Sequence, residues 1–405
     1  MNQEARILLD ILRAFFEEKV LAQETMAQFK ELLEPVLKQS KIHNVSGIVA
    51  YKVKEYFTYN NPENEEDAEL LQIMTEIFFL TVQQSALCEK KFEELSEKFV
   101  EEQIDHLAFK GIVIKKFYTV PELRTFGDVD FVIREKDVER TDALMKKLGY
   151  YTKADFVPVY TYKKEHEYYE IHTSIMSVNI TERADYIGYF GKMWEYARKK
   201  DEFIYEFTPE FHFIYLFTHV AKHIYSSGAG IRMYMDLAFY IKRQGSNMDW
   251  EFVKSEIEKL ELSRFFNLAM QCIKNWFKLE LPFEVSNVED EVLQDFELYT
   301  MEAGVFGFYG RNSGETLVRK MNMTEKKGIS RIKALKKVLF PNARMIKTRY
   351  TYLKKHPYLL PVAWVDRVIR NNKDISSTLR TSKEIIAVKK DDVNEKIRFY
   401  RKIGL

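Results

Sequence analysis

Two carboxylates stand two positions apart, Asp128 and Asp130, at the head of a short apolar, β-branched run, Val129 to Ile133. Such a run favours a central strand. Strand side chains alternate, so Asp128 and Asp130 share one face. Two anions side by side near an apolar core repel, and leaving them buried and unpaired costs roughly several kcal/mol. A divalent cation removes that penalty. Mg²⁺ takes one or two carboxylates, several waters and substrate phosphates, and Mn²⁺ is the alternative ion. A third carboxylate would complete a two-metal site for in-line phosphoryl displacement. Glu170 is the candidate, on a second strand-like run, Tyr168 to His172, about forty residues on. His172 shares its face. The ordinary reading of His172 is a hydrogen-bonded structural histidine, and that of the Asp pair a strand end capped by backbone or Arg.

Other residues suit a phosphate. Lys110-Gly111 follows a short apolar run, Leu107-Ala108-Phe109, and opens a helical pattern. A helix start offers free N–H groups and the positive dipole end. Glycine lets the backbone approach closely, and Lys110 adds a point charge. The alternative is an ordinary tight turn. Arg124 could hold phosphate through two parallel hydrogen bonds, against an easy salt bridge to an Asp. Gly127 sits directly before the first Asp. Further on, His219 and His223 lie four apart on one predicted helix face. Zinc can use that spacing, but no Glu stands beside His219 as a metalloprotease needs; lining of a substrate pocket or plain helix packing are the other readings. Arg232, a further pocket candidate, stands four before Asp236, where an ion pair is the default.

These residues need elements to hold them. Residues 1–104 read as helical, with apolar spacing of three and four at Ile7, Leu8, Ile11, Leu12 and Phe15 and a loop at Asn60 to Asn64. Residues 105–208 alternate strand and helix patterns. Asp137 to Leu148 reads as a helix stopped by Gly149, and Val157 to Tyr162 with Tyr168 to His172 as a strand pair. Helices return over 209–405, starting at Pro209, a first-turn proline. The expected class is α+β: a small mixed sheet between N- and C-terminal helical regions. From Lys326 to Lys355 there are eleven Lys or Arg and no acid. A solvated helical face is the usual meaning; with Leu335, Val338, Leu339 and Phe340, a weak contact with an anionic surface is the other.

The whole chain of 405 residues is 46% apolar and 30% charged, with a formal net charge of +1. Disorder of the whole is thereby excluded, and net charge names no partner. Cys88 and Cys272 are too few and too far apart for a metal cluster or disulfide framework, as in a reducing cytoplasm. The N-terminal MNQEARILLDILRAFF is amphipathic rather than a signal peptide. A soluble cytoplasmic protein is expected.

Taken in order, Phe109-Lys110-Gly111, Tyr118, Pro121, Arg124, Gly127-Asp128-Val129-Asp130, Leu148-Gly149-Tyr150 and Glu170-Ile171-His172 resemble the bacterial uncharacterised nucleotidyltransferase family, of the polymerase β-type superfamily. His219, His223, Arg232 and Asp236-Leu237-Ala238 extend the likeness, which covers roughly residues 100 to 255. The sequence departs from the broad superfamily in having Ile112 after Gly111 and Gly127 before Asp128. The resemblance implies metal-dependent transfer of a nucleoside monophosphate from an NTP such as ATP to an acceptor, releasing pyrophosphate. Asp128, Asp130 and Glu170 would hold the metals, and Lys110, Gly111, Arg124 and Gly127 would meet the nucleotide. His172, His219, His223 and Arg232 would line the acceptor pocket. The alternatives are an inactive nucleotide-binding or scaffold protein of the same fold, or a toxin-type enzyme modifying RNA or protein.

Overall fold

The computed structural model describes residues 1–405 except 128, 157, 166, 182, 306, 309–315, 319–330, 342–349, 355 and 371. Asp128, half of the expected carboxylate pair, therefore lies outside the described residues, as do parts of the basic run 326–355.

The N-terminal helices follow their apolar stripes. In α1 (Gln3–Phe16) the Asn2 side chain caps the Ala5 N–H, and Ile7, Leu8, Ile11, Leu12 and Phe15 are all buried. Helices α2 (Gln23–Glu31), α3 (Leu33–Ile42) and α4 (Ser46–Tyr59) follow. The expected loop at Asn60 to Asn64 separates α4 from α5 (Glu65–Glu101). Asn64 caps α5, and Glu65, Glu66 and Asp67 fill its first turn, where the dipole favours negative charge.

Seven strands make one mixed sheet: β1 (His106–Ala108), β2 (Val129–Ile133), β3 (Tyr151–Phe156), β4 (Val159–Lys164), β5 (Glu167–His172), β6 (Ala197–Lys199) and β7 (Ile204–Phe207), in the order β3-β4-β5-β2-β1-β7-β6. The pairs β1–β2, β4–β5 and β6–β7 are antiparallel, while β2–β5 and β1–β7 are parallel. The class is α+β with helical flanks, as expected from sequence. The turn after β1 leads into α6 (Gly111–Ile114), and α7 (Val138–Lys147) follows β2. Gly149, just beyond α7, has φ +87°, the left-handed stop that favours glycine.

Alternation along β2 divides its residues between two faces. Val129, Phe131 and Ile133 enter a core with Leu95 and Phe99 of α5, Leu144 and Met145 of α7, and Ile171 of β5. Asp130 faces the opposite way. On that side Phe109 packs edge-on against His172, at 5.1 Å between ring centroids, and against Tyr215, at 5.4 Å. Tyr215 belongs to α9 (Pro209–Ser226), the helix after the six-residue α8 (Tyr186–Gly191). Thr208 caps α9 and Pro209 fills its first turn. Then come α10 (Ile231–Gln244), α11 (Trp250–Lys259), α12 (Ser263–Phe277) and α13 (Asp290–Glu302). No helix among the described residues is long and apolar enough to cross a membrane.

The chain divides into two compact units. One holds Met1–Lys153 and Pro158–Tyr309; the other holds Gly310–Leu405 with Ala154–Val157. The stretches 1–104 and 209–309, read separately in the sequence, thus lie in one unit with most of the sheet. In the second unit, helix Arg331–Leu339 turns Ala334, Leu335 and Val338 into a cluster with Ile385, Val388, Val393 and Ile397. Two of the four apolar residues read there as a possible surface face are thus packed against a core. Leu335 and Val338 face a core because the helix must bury one stripe, while Leu339 and Phe340 stay exposed.

Candidate active site

The β2–β5 register sets Asp130 opposite Glu170 and Val132 opposite His172. Glu170 and His172, two apart on one strand, share a face. Ligand atoms of Asp130, Glu170 and His172 all lie within 4.8 Å of one another, so the three form a group able to hold a metal ion. Asp130 and His172 are buried and Glu170 is partly exposed. His172 Nε2 lies 2.8 Å from Asp130 Oδ1 and 3.5 Å from Glu170 Oε2. The Lys110 ammonium donates to the same Oδ1 at 2.7 Å. Burial pushes the Asp130 carboxyl towards the protonated form, but the Lys110 charge and the His172 ring outweigh it and hold the pKa below the ordinary value. Asp130 is thus an anion at neutral pH, and His172 turns an N–H towards it. Two carboxylates on neighbouring strands suit a hard cation such as Mg²⁺ or Mn²⁺. A histidine hydrogen-bonded to one of them is the usual orienting partner.

Lys110 reaches Asp130 through an uncommon backbone. Its φ of 59° and ψ of −132° belong to turns that ordinarily take glycine. A side chain held there costs of order 1–3 kcal/mol. The ion pair with a buried carboxylate offsets that strain and fixes the ammonium beside β2.

Gly111 and Arg124 meet one another. A Cβ on Gly111 would stand 2.5 Å from Arg124 Nη1 and 3.0 Å from Phe126 Cβ. The closeness of approach that glycine permits is therefore used by protein side chains. Arg124 is buried, and its guanidinium forks onto Asp236 of α10: Nη2–Oδ2 is 2.7 Å and Nε–Oδ1 is 3.1 Å. Tyr118 donates its hydroxyl to the same carboxylate at 2.7 Å. Arg232, also from α10, donates to the Thr125 carbonyl at 2.9 Å, and the Thr125 hydroxyl reaches Asn44 at 3.1 Å. So α10 and Tyr118 clamp the segment that leads into β2. Gly127 is exposed, and a Cβ there would meet no protein atom within 4 Å.

From α9, His219 and His223 touch through their Nε2 atoms at 3.0 Å. Among the described residues no third ligand completes a zinc set on them. Tyr215 packs on the His219 ring at 5.6 Å. Burial, then the charges of His223, Lys110, Lys222 and His172, push the His219 pKa far down, so its ring is neutral. The contact chain His172–Phe109–Tyr215–His219 ties α9 to the sheet.

A family model described as uncharacterised nucleotidyltransferase matches residues 31–278. The chain belongs to that family. Neither the curated proteins nor the solved structures contain a match. The nucleotidyltransferase match takes in α3 to α12, hence the whole sheet, the acid–histidine group and both histidines of α9.

Sequence reasoning missed two features of this chain. One is the second role of α10, whose Asp236 anchors Arg124 and Tyr118 more than a hundred residues away in sequence. No local pattern carries that. The other is Lys222, which senses the charges of Lys110, Glu170 and Asp130. Its signal was available: Lys222 lies three after His219 and shares its helix face.

Proposed function

We propose that this nucleotidyltransferase moves a nucleoside monophosphate from an NTP to an acceptor nucleophile and releases pyrophosphate, using a divalent cation held by Asp130 and Glu170. Asp128, two residues before Asp130 in the sequence and outside the described residues, is the third carboxylate of this reading. The observation that carries the proposal is the register of β2 on β5: two carboxylates from separate strands face each other beside a histidine and within 4.8 Å.

A cation bound there would neutralise charge developing on the transferred phosphoryl group and lower the pKa of a bound hydroxyl. The chain's own residues supply the rest. Lys110 holds Asp130 ionised, His172 orients it by an Nε2–H bond to Oδ1, and the α10 clamp on Thr125 fixes the approach to β2. Glu170, less buried than Asp130, is the carboxylate more open to an acceptor and is the proposed base for its hydroxyl. A scaffold without catalysis would fit a Glu170 turned away from Asp130. The pairing Asp130↔Glu170 is the opposite arrangement.

The test is thermal unfolding with ATP, GTP, CTP and UTP, each with and without Mg²⁺. An NTP at about 100 times its dissociation constant adds about 2.7 kcal/mol, a rise of roughly 5 °C at this size. The rise should need Mg²⁺ and vanish in folded Glu170→Gln. Absence of any shift with all four nucleotides would sink the reading.

A further inference from the structure

Among the described residues, Lys222 is a cation within electrostatic reach of the acid–histidine group that no partner accounts for. Lys110 is bound to Asp130. Lys222 is half-buried on α9, and among the described residues it makes no hydrogen bond and no ion pair. It nevertheless lies within electrostatic reach of Lys110, Glu170 and Asp130. Beside it on the same face, His219 keeps its buried Nδ1 without a hydrogen-bond partner. A buried ammonium is costly unless paired, and an imidazole nitrogen left bare adds to that cost. Two unspent polar groups on one helix face, next to a candidate cation site, form a place for an anion with several oxygens.

We infer that Lys222 and His219 form the subsite for a phosphate chain: the β- and γ-phosphates of the donor, which leave as pyrophosphate. The inference rests on the nucleotidyl-transfer reading for the source of that chain, not for its charge. The phosphates are the anions that the position requires. A chain bound at once to a cation on Asp130 and Glu170 and to Lys222 on α9 spans the gap between sheet and helix. Phe109 joins the two elements beside the site, packing on His172 of β5 and on Tyr215 of α9. Burial and the Lys110 charge pull the Lys222 pKa below its ordinary value, against Glu170 and Asp130. A phosphate alongside would pull the other way. His219, neutral in the empty site, serves as a hydrogen-bonding group rather than a second cation. The same chemistry could instead take the single phosphate of an acceptor, and the assay separates the two sources.

The probes are inorganic tripolyphosphate, the four NTPs and glucose 1-phosphate, titrated calorimetrically with Mg²⁺ into wild type, Lys222→Met and Lys222→Arg. The Met variant should lose about tenfold to a hundredfold in tripolyphosphate affinity, and equally for the NTP that binds, as expected for loss of a charged hydrogen bond. Arg should retain most of it. Glucose 1-phosphate should be indifferent to all three. The empty Met variant should melt above wild type, because a buried unpaired charge is gone; that rise shows the protein is folded. Equal tripolyphosphate affinity in wild type and Met would overturn the subsite, even where an NTP still binds and the nucleotidyl-transfer reading survives. A loss confined to glucose 1-phosphate would overturn it in favour of an acceptor site. Lys222-dependent tripolyphosphate binding without binding of any NTP would uphold the subsite and remove the nucleotide from the donor reading.

Discussion

Replacing Asp236 by Ala tests whether the α10 clamp is the support of the entry to β2. The carboxylate takes two hydrogen bonds from Arg124, at 2.7 and 3.1 Å, and one from Tyr118 at 2.7 Å. Only 8% of the Arg124 side chain and 11% of the Asp236 side chain are exposed. Removing the acid takes away two of the hydrogen bonds of a buried guanidinium and the one that the Tyr118 phenol donates. Breaking a buried pair from one side costs about 3–5 kcal/mol. The phenol adds little beyond this, because the three groups form one network and their losses do not sum. About 4 kcal/mol is expected, or a fall of about 8 °C in Tm. The double variant Arg124→Met/Asp236→Leu removes both charges and fills the space, so it should recover to within about 1 kcal/mol of wild type. Urea unfolding followed by tryptophan fluorescence suits the measurement, since Trp194, Trp250 and Trp276 all belong to the unit that holds the clamp. A loss below about 1 kcal/mol in Asp236→Ala, or a double variant no better than the single, would refute the reasoning.

Two further outcomes follow from the same packing. Gly111→Ala drives a methyl group to 2.5 Å from Arg124 Nη1, whose guanidinium Asp236 holds in place. It should destabilise by about 1–3 kcal/mol, read in the same urea assay, and Gly111→Ala in the Arg124→Met background should lose less; equal losses in both backgrounds would contradict the contact. One measurable part of the acid sensitivity should come from His43, whose pKa burial lowers to about 4 against the pull of its hydrogen bond to the Met301 carbonyl, alongside that of the other buried histidines such as His212. Between pH 6.5 and about 4 the unfolded chain binds a proton at this histidine and the folded chain does not. Stability therefore rises with pH across that window, and falling from pH 6.5 to 5 should cost about 2 kcal/mol at His43 alone. Tm against pH for wild type and His43→Gln should converge at low pH, and parallel curves would rule the histidine out.

What could be read from the sequence was whatever repeats locally. Val129 to Ile133 is a strand with the bounds its β-branched run suggests, and Pro209 opens α9 as its fixed φ favours. Three strands escaped, β3, β6 and β7, and the last two have the weakest local pattern. β6 and β7 have three and four residues, and β6 reads Ala-Arg-Lys with two exposed cations, so no alternation marks it. For the site, alternation put Glu170 and His172 on one face, but only the β2–β5 pairing sets that face against Asp130. Charged residues were the hardest to interpret. Arg124 looks equally suited to a phosphate or an acid until Asp236 arrives from 112 residues away. Lys222 looks like any solvated helix lysine. Its meaning comes from being half-buried near Asp130 and Glu170 without a bond to either, and burial is a property of the packed chain. A charge in a sequence is a possibility of either partner or ligand. The fold decides between them by what it leaves unpaired: the fork on Asp236 satisfies Arg124, and among the described residues no comparable partner satisfies Lys222. That asymmetry separates a structural cation from one held in readiness for a substrate anion.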